Sequence, residues 1–457
     1  MKFRMIPSGG KTPSMPFRSA KDLVSLIRRK KIGCLELLDL YLSRIDRNNP
    51  KINAVIFMNI EEARKRAPGL RIKRWRKGTS GGPSTGLPMT VKESYDVVGM
   101  PTTWGVPAHR HNYPQRNALA VDRFLKAGAV LFGKTNVPLY LADWQRFNEI
   151  YGTTNNPWDV TRVPGGSSGW SAAALSAGLT GLEAGSDISA VGPLARSAED
   201  LATAFKIMAG PDDIDGTGWQ LRLPKPTKKS LREFKVSIVY TDPEAEVDEE
   251  VQGRLRVLAA FLRKKKVKVK EGARPKIDSQ EAYKNYIQLL RAATCGRLTP
   301  EEFRKNFQAA EALDPADDSY QARAARAQTM PHWNWLAVNE ARHKMRLKWA
   351  DFPREYDLLL CPTATTTAFP HNQKGERWER MVMVNGKPQP STTQMFWAGY
   401  SGNFYLPSTV APAGLASNGL PIGVQIIGPQ YGDLTCIHFA HLLEQEFQGF
   451  VPPPGFD

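Results

Sequence analysis

The sequence predicts an α/β protein built around a mixed β-sheet. Two patterns carry that reading. Short apolar runs rich in β-branched residues recur along the chain, and stretches with apolar residues at three- and four-residue intervals lie between them. Strands that alternate with helices pack as a sheet with helices against its faces.

From Ser19 to about Arg66 the chain reads as two helices, because Ala20 to Ile27 and Leu35 to Leu42 each gather their apolar side chains on one helical face. Pro68-Gly69 is expected to close this N-terminal helical arm, residues 1–69. A Gly-, Ser- and Pro-rich loop, Gly78 to Thr85, leads to the apolar run Leu87-Pro88-Met89-Thr90-Val91, which ends at Lys92. Ala118 to Ala127 reads as a helix and Ala129 to Gly133 as a strand. Asn155 to Asp159 is turn chemistry, and Gly165-Gly166-Ser167-Ser168-Gly169 opens a helix of small residues from Ser171 to Gly178. Val236 to Tyr240 and Tyr356 to Cys361 read as buried strands, with a variable, mainly helical region at about 205–350. Ser408 to Val410 and Ile422 to Ile427 read as further strands, and Leu434 to about Phe447 as the last helix. No internal repeat or clean linker interrupts the chain, so residues 1–457 are read as a single domain.

Composition bounds the class. Hydrophobic residues are 41% and charged residues 23% of the 457, which excludes wholesale disorder. No apolar stretch approaches the ~20 residues that cross a bilayer. The first residues hold no apolar run of the roughly 7–15 residues that a signal peptide needs. A soluble, cytoplasmic protein with no membrane partner is expected. Cys34, Cys295, Cys361 and Cys436 are scattered without a C-x-x-C pair, which fits packed thiols in a reducing compartment. His438 and His441 lie three apart inside an apolar helical stretch, where packing is the simpler reading, so neither a metal nor another cofactor is expected. With 62 Lys plus Arg against 45 Asp plus Glu the net charge is +17, gathered in runs such as Arg28 to Lys31 and Arg263 to Lys266. Solvated helix ends and loops account for such runs; without an accompanying recognition motif a nucleic-acid partner is not expected.

Two places can carry chemistry. The Gly165 to Gly169 loop opens a helix, so its unpaired backbone amides can hold an anion, although a tight structural turn uses the same residues. It also satisfies G-x-S-x-G, but that nucleophile elbow needs a buried strand just before its serine. The residues in front, Pro157 to Arg162, read as loop, so the elbow is set aside. Lys92 directly follows an apolar strand. A lysine held inside a core is disfavoured as an ammonium and can serve as a general base, whereas a lone lysine is ordinarily a surface residue.

At this point the chain resembles the amidase signature family. The matching pieces are Gly86 to Glu93, Pro101-Thr102-Thr103-Trp104-Gly105, Ala127 to Asn136, Asn156-Pro157-Trp158 and the Gly165 to Gly169 loop. Gly185-Ser186-Asp187-Ile188, Gly192 to Ser197 and Gly419 to Gln425 follow in the family's order. The resemblance implies an α/β/α fold with a central mixed, twisted sheet covered by helices. It also implies hydrolysis of an amide, anilide or carbamate by a Ser–cisSer–Lys triad that needs no cofactor. Carried over by position, Lys92 is the base and Ser167 the bridging serine, preceded by a cis peptide from Gly166. Backbone amides around Ile188, Ser189 and Ala190 form the oxyanion hole, and Gly166, Ser168 and Trp170 border the substrate. Trp170 is a departure, since the family has glycine there.

The larger departure is the attacking serine. The family places it four residues after the aspartate, where this chain has Val191, and continues for several dozen residues before the block that begins here at Gly192. Losing that stretch would uncover buried neighbours such as Val130 and Val424 at a cost of roughly several kcal/mol each. The nucleophile is therefore expected in a segment left out near Ala190–Val191. A real peptide bond there would instead mean a deletion and an inactive, amidase-like binding protein. The expected partners are a small-molecule amide or carbamate and water, and a homodimer is compatible with the sequence. Two further alternatives stay open: the amidase subunit of a tRNA-dependent amidotransferase, and an esterase using Ser167 directly with a histidine. Trp104, Trp144, Trp333, Trp335, Phe396, Trp397, Tyr400 and Phe404 would suit an aryl substrate if they line a pocket, although core or surface packing is the plainer reading.

Overall fold

A computed structural model describes residues 13–72, 82–144, 147–187 and 190–456. They fall into two compact units, one of residues 13–222, 368–373 and 449–456, the other of residues 223–367 and 374–448. Each has a five-stranded mixed sheet with helices against it, so the predicted α/β class with mixed sheets is observed. The strands are divided between two sheets.

In the first unit the strands are β1 (Val55–Met58), β2 (Pro88–Lys92), β3 (Val130–Thr135), β4 (Glu183–Asp187) and β5 (Ala190–Leu194), in spatial order β1-β3-β2-β4-β5. β2 runs parallel to both neighbours, β3 and β4, whereas β1 and β5 are antiparallel edges. Covered on both faces, β2 buries all five residues, as the strands of a parallel core do. The helices are α1 (Ala20–Arg28), α2 (Cys34–Ile52), α3 (Ile60–Ile72), α4 (Leu119–Lys126), α5 (Gly169–Ser176) and α6 (Ala198–Met208). Leu37, Leu38, Tyr41 and Ile45 of α2 share one core with Met89, Val91, Val130 and Phe132 of the sheet.

Two details of the N-terminal arm differ from expectation. β1 lies between its helices and pairs with β3, because Val55 to Met58 is a short apolar run that the sheet edge can use. Further on, α3 continues through Pro68 and Gly69 to Ile72; a proline withholds one amide donor, and here that loss does not end the helix.

The second unit has β6 (Lys235–Ile238), β7 (Lys268–Glu271), β8 (Leu358–Pro362), β9 (Met381–Val384), β10 (Lys387–Pro390), β11 (Ser408–Leu415) and β12 (Pro421–Ile427). Its sheet has the order β11-β12-β8-β6-β7, and β9 with β10 makes a separate hairpin. Asn385 and Gly386 close that hairpin with φ of 51° and 76°, the positive values a two-residue turn between twisted strands requires. The helices are α7 (Glu249–Lys264), α8 (Ser279–Thr294), α9 (Pro300–Ala312), α10 (Tyr320–Gln328), α11 (His332–Asp351), α12 (Gln394–Gly402) and α13 (Asp433–Glu446). The bulge between Pro412 and Gly414 lets Arg254 of α7 donate to the Ala413 carbonyl at 3.0 Å from Nε. Gly414 has φ of +121°, and a Cβ there would lie 1.9 Å from the guanidinium, so only glycine fits. No helix of the described residues is long and apolar enough to cross a membrane.

Buried polar groups fasten the first unit's arm to its later helices. The Asp200 carboxylate accepts the Ala20 and Lys21 amides at 2.6 and 2.8 Å, while Ser19 caps the same helix through the Asp22 amide. Arg196 donates to the carbonyls of Leu175 and Thr180 at 3.1 and 2.8 Å and to that of Arg18 at 3.2 Å. Asp200→Ala leaves two first-turn amides of α1 without their acceptor, so it should lower stability by about 2 kcal/mol. The midpoint of urea unfolding should fall with the slope unchanged, and Asp200→Asn should recover part of the loss.

Candidate active site

Lys92 stands at the end of β2 with no exposed surface. The chain reaches it a second time through the Gly165 to Gly169 turn. Gly165 has φ of +89°, the peptide between Gly166 and Ser167 is cis, and α5 begins two residues later at Gly169. Lys92 Nζ donates to Ser167 Oγ at 2.8 Å and to Ser168 Oγ at 3.2 Å. Ser167 is 5% exposed, so strand-end amine and turn hydroxyl meet almost wholly out of water. An amine within hydrogen-bond reach of a serine hydroxyl is placed to take its proton, the step that makes the oxygen a nucleophile.

Gly166 and Ser168 are half-buried beside this pair, and the Trp170 ring in the first turn of α5 is fully buried. Ile188 and Ser189 lie outside the described residues. Ala190 pairs with Asp187 at the end of the β4–β5 ladder, and Val191 follows opposite Ser186. Ala190 and Val191, between which an omitted segment is expected, are consecutive in β5. The two residues take successive register positions in one strand, which returns antiparallel along β4 and holds them there.

The sequence reading missed a carboxylate in the same cluster. Glu183 of β4 is fully buried and lies in register with Thr90 of β2. It accepts the Thr90 hydroxyl, and its other oxygen accepts those of Thr135 and Ser171 at 3.0 Å each. Burial pushes this carboxyl up to about 8, against the pull of the three hydroxyls and of the Lys92 charge. A glutamate in the short run Leu179-Thr180-Gly181-Leu182-Glu183-Ala184, which carries no other charge, was the signal in the sequence.

On the opposite face Lys134 is buried too, donating to the carbonyls of Glu93 and Pro101 at 3.1 and 2.7 Å and to Thr102 Oγ1 at 2.9 Å. The Glu93 carboxylate accepts the Thr103 and Trp104 amides. The aromatic residues weighed as pocket wall divide. Phe396, Trp397 and Phe404 are buried in the second unit's core, where Phe396 and Trp397 pack against Tyr400, whereas Trp333 is 72% exposed. His438 is bonded to the Lys228 carbonyl at 2.8 Å and His441 to Gln445.

With this geometry in hand, comparison with known proteins is decisive. The Amidase family profile matches residues 36–190 and 188–437. The chain belongs to the amidase family. It is an amidase-signature hydrolase acting on C–N bonds. An indoleacetamide hydrolase of Bradyrhizobium diazoefficiens is 26% identical over 93% of this chain and 86% of its own length. A glutamyl-tRNA(Gln) amidotransferase subunit from a Synechococcus species is 27% identical over 93% and 95%. Among solved structures, a bacterial aryl acylamidase of the amidase signature family superposes with a TM-score of 0.77 at 21% identity, covering 94% of this chain and 96% of that one. A 6-aminohexanoate cyclic dimer hydrolase superposes with 0.76 at 21%, covering 97% and 99%.

The family match also locates the departure. Its two parts meet at residues 188–190. The alignment with the indoleacetamide hydrolase runs over 477 positions, whereas 93% of this chain is about 425 residues, so about fifty positions have no counterpart here.

One stability prediction follows from Lys134. Burial lowers its proton affinity from near 10.5 to about 8, against the pull of Glu93 and Asp96. The unfolded chain then binds more protons between those values, so this group adds stability as pH rises from about 8 to 10.5 and loses it as pH falls through about 8. Urea midpoints of the natural chain should rise over that window relative to those of Lys134→Met.

Proposed function

We propose that the chain hydrolyses a small-molecule amide, anilide or carbamate by acyl transfer to water, with Lys92 as base and Ser167 as the attacking hydroxyl. The observation that carries this reading is the buried 2.8 Å contact between Lys92 Nζ and Ser167 Oγ. In the family's pattern Ser167 bridges the base and a further serine; here that further position is Val191, and Ser167 is the hydroxyl bonded to the lysine.

Ser167 Oγ adds to the substrate carbonyl carbon as its proton passes to neutral Lys92. The tetrahedral intermediate collapses as Lys92 returns that proton to the leaving nitrogen. Water, deprotonated by the same amine, then attacks the acyl-serine and frees the acid and Ser167. Backbone amides near Ile188 to Ala190 would hold the oxyanion; one such donor is worth ~3–4 kcal/mol of barrier. The names of the relatives, an indoleacetamide hydrolase and an aryl acylamidase, direct the choice of substrates toward arylacetamides and anilides. Cys34, Cys295, Cys361 and Cys436 form no disulfide among the described residues, which supports a cytoplasmic location.

A second reading has its own support. The likeness to glutamyl-tRNA(Gln) amidotransferase subunits and the net charge of +17 suit one component of a complex that works on charged tRNA. Copurification with partner chains and salt-sensitive tRNA binding would favour it.

The chain should turn over a panel of anilides and arylacetamides, and should keep doing so in chelator. A fluorophosphonate should add once, on the peptide carrying Ser167, and Ser167→Ala should abolish both turnover and adduct. Lys92→Ala should slow both by about 100- to 10,000-fold in a chain that still folds, read by its circular dichroism. No turnover together with no adduct would make this an amidase-like binding protein.

A further inference from the structure

We propose that Glu183 is a positioning residue for Lys92, its carboxyl setting whether the amine beside Ser167 carries a charge. This rests on the Lys92–Ser167 reading above for its catalytic meaning, but not for its physical content.

Thr90 and Lys92 are alternate residues of β2, so both side chains leave the same face of the sheet. Glu183 sits in register with Thr90 and accepts its hydroxyl, which brings the carboxyl to that face. Thr135, in register with Lys92 itself, donates to the same carboxyl, and Ser171, three residues after Ser168, completes the set. The carboxyl is thus bracketed by the immediate neighbours of the lysine on three elements. The Lys92 charge pulls on this carboxyl, so the two groups are coupled.

Two opposite ionisable groups buried together hold one proton between them more cheaply than two or none, because either uneven state leaves a net charge out of water. With the proton on Glu183, Lys92 is a neutral amine; with it on Lys92, the site is an ion pair and the amine cannot act as base. The hydroxyls of Thr90, Thr135 and Ser171 can donate to a carboxylate or accept from a carboxylic acid, so they accommodate both states. Tyr95, just past the end of β2, also feels this carboxyl: its phenol is pushed up by burial and by the Glu183 charge. Ser167, Ser168 and Ser171 of the α5 turn and Thr135 of β3 are uncharged, and Lys134 and Glu93 face the other side.

The test is the titration of Lys92, read by carbon-13 NMR of labelled lysine and assigned by the resonance missing in Lys92→Met. In Glu183→Gln, which keeps the shape and an acceptor oxygen, the Lys92 midpoint should fall by about one pH unit or more. The acid limb of the turnover profile should move with it. Superposable titrations in the two proteins would overturn the proposal, since a merely structural glutamate changes the amount of folded protein and not a midpoint. Should Glu183→Gln not fold, Thr135→Val removes one stabilising hydroxyl from the carboxylate and should shift Lys92 the same way by less; no shift there would also overturn it. A shifted midpoint in a protein without turnover would sink only the hydrolase reading.

Discussion

A lysine kept wholly out of water is the condition on which the first unit's architecture turns. A buried amine without partners costs several kcal/mol, so a strand ending in Lys92 is tolerable only where neighbouring elements bring polar atoms to it. β2 is the central parallel strand, and the two strands beside it and the helix across its face deliver Thr135, Glu183 and the Ser167, Ser168 and Ser171 hydroxyls. The turn that opens α5 fits the same condition. Its glycines leave the backbone free to place two consecutive serines against the amine, with a cis peptide before the first.

The same unit shows how β4 keeps a partner on either side where the family match divides. The two parts of the family match meet where β4 gives way to β5. The residues just past that point, Ala190 to Leu194, pair antiparallel with β4 along its whole length, so the strand that carries Glu183 is not left as an edge. An uncovered β4 would present unpaired backbone groups next to a buried carboxylate, the least tolerable place for them. Arg196 and Asp200, immediately downstream, tie the returning chain to Arg18, Ala20 and Lys21 at the start of α1.

How much of this was legible follows from which signals are local. The strands β2, β3, β6, β8, β11 and β12 were read at their positions because each is an apolar run bounded by turn residues. β1 was missed as a short run between helices, and β7 because Lys268 to Glu271 alternates charge with one valine. β9 and β10 were missed although Met381 to Val384 followed by Asn385-Gly386 is a recognisable hairpin signal. Lys92 and Ser167 were legible as candidates because a strand-end lysine and a Gly/Ser turn are each unusual, and the family's order of blocks joined them. Glu183 was not, since its meaning lies in register: only the pairing of β4 with β2 sets it beside Thr90 and brings it within the field of Lys92.

Register also separates two acid–lysine couples that composition cannot tell apart. Alternation along β2 and β3 sends Lys92 with Glu183 to one face and Glu93 with Lys134 to the other. Most partners of the second couple have fixed polarity: carbonyls of Glu93 and Pro101 can only accept from Lys134, and amides of Thr103 and Trp104 can only donate to Glu93, with the Thr102 hydroxyl also accepting from Lys134. Such a shell favours a lysine that donates and a carboxylate that accepts, and resists moving a proton between them. Around Lys92 and Glu183 the hydroxyls of Ser167, Ser168, Thr90, Thr135 and Ser171 gather, and a hydroxyl turns to donate or accept at little cost. A shell of hydroxyls lets a proton change places without rebuilding the core, and acyl transfer requires a base that gains and returns one within each turnover. On the proposed reading, the chemistry of the shells, rather than the charges they enclose, is what suits the first couple to moving a proton and the second to holding the fold.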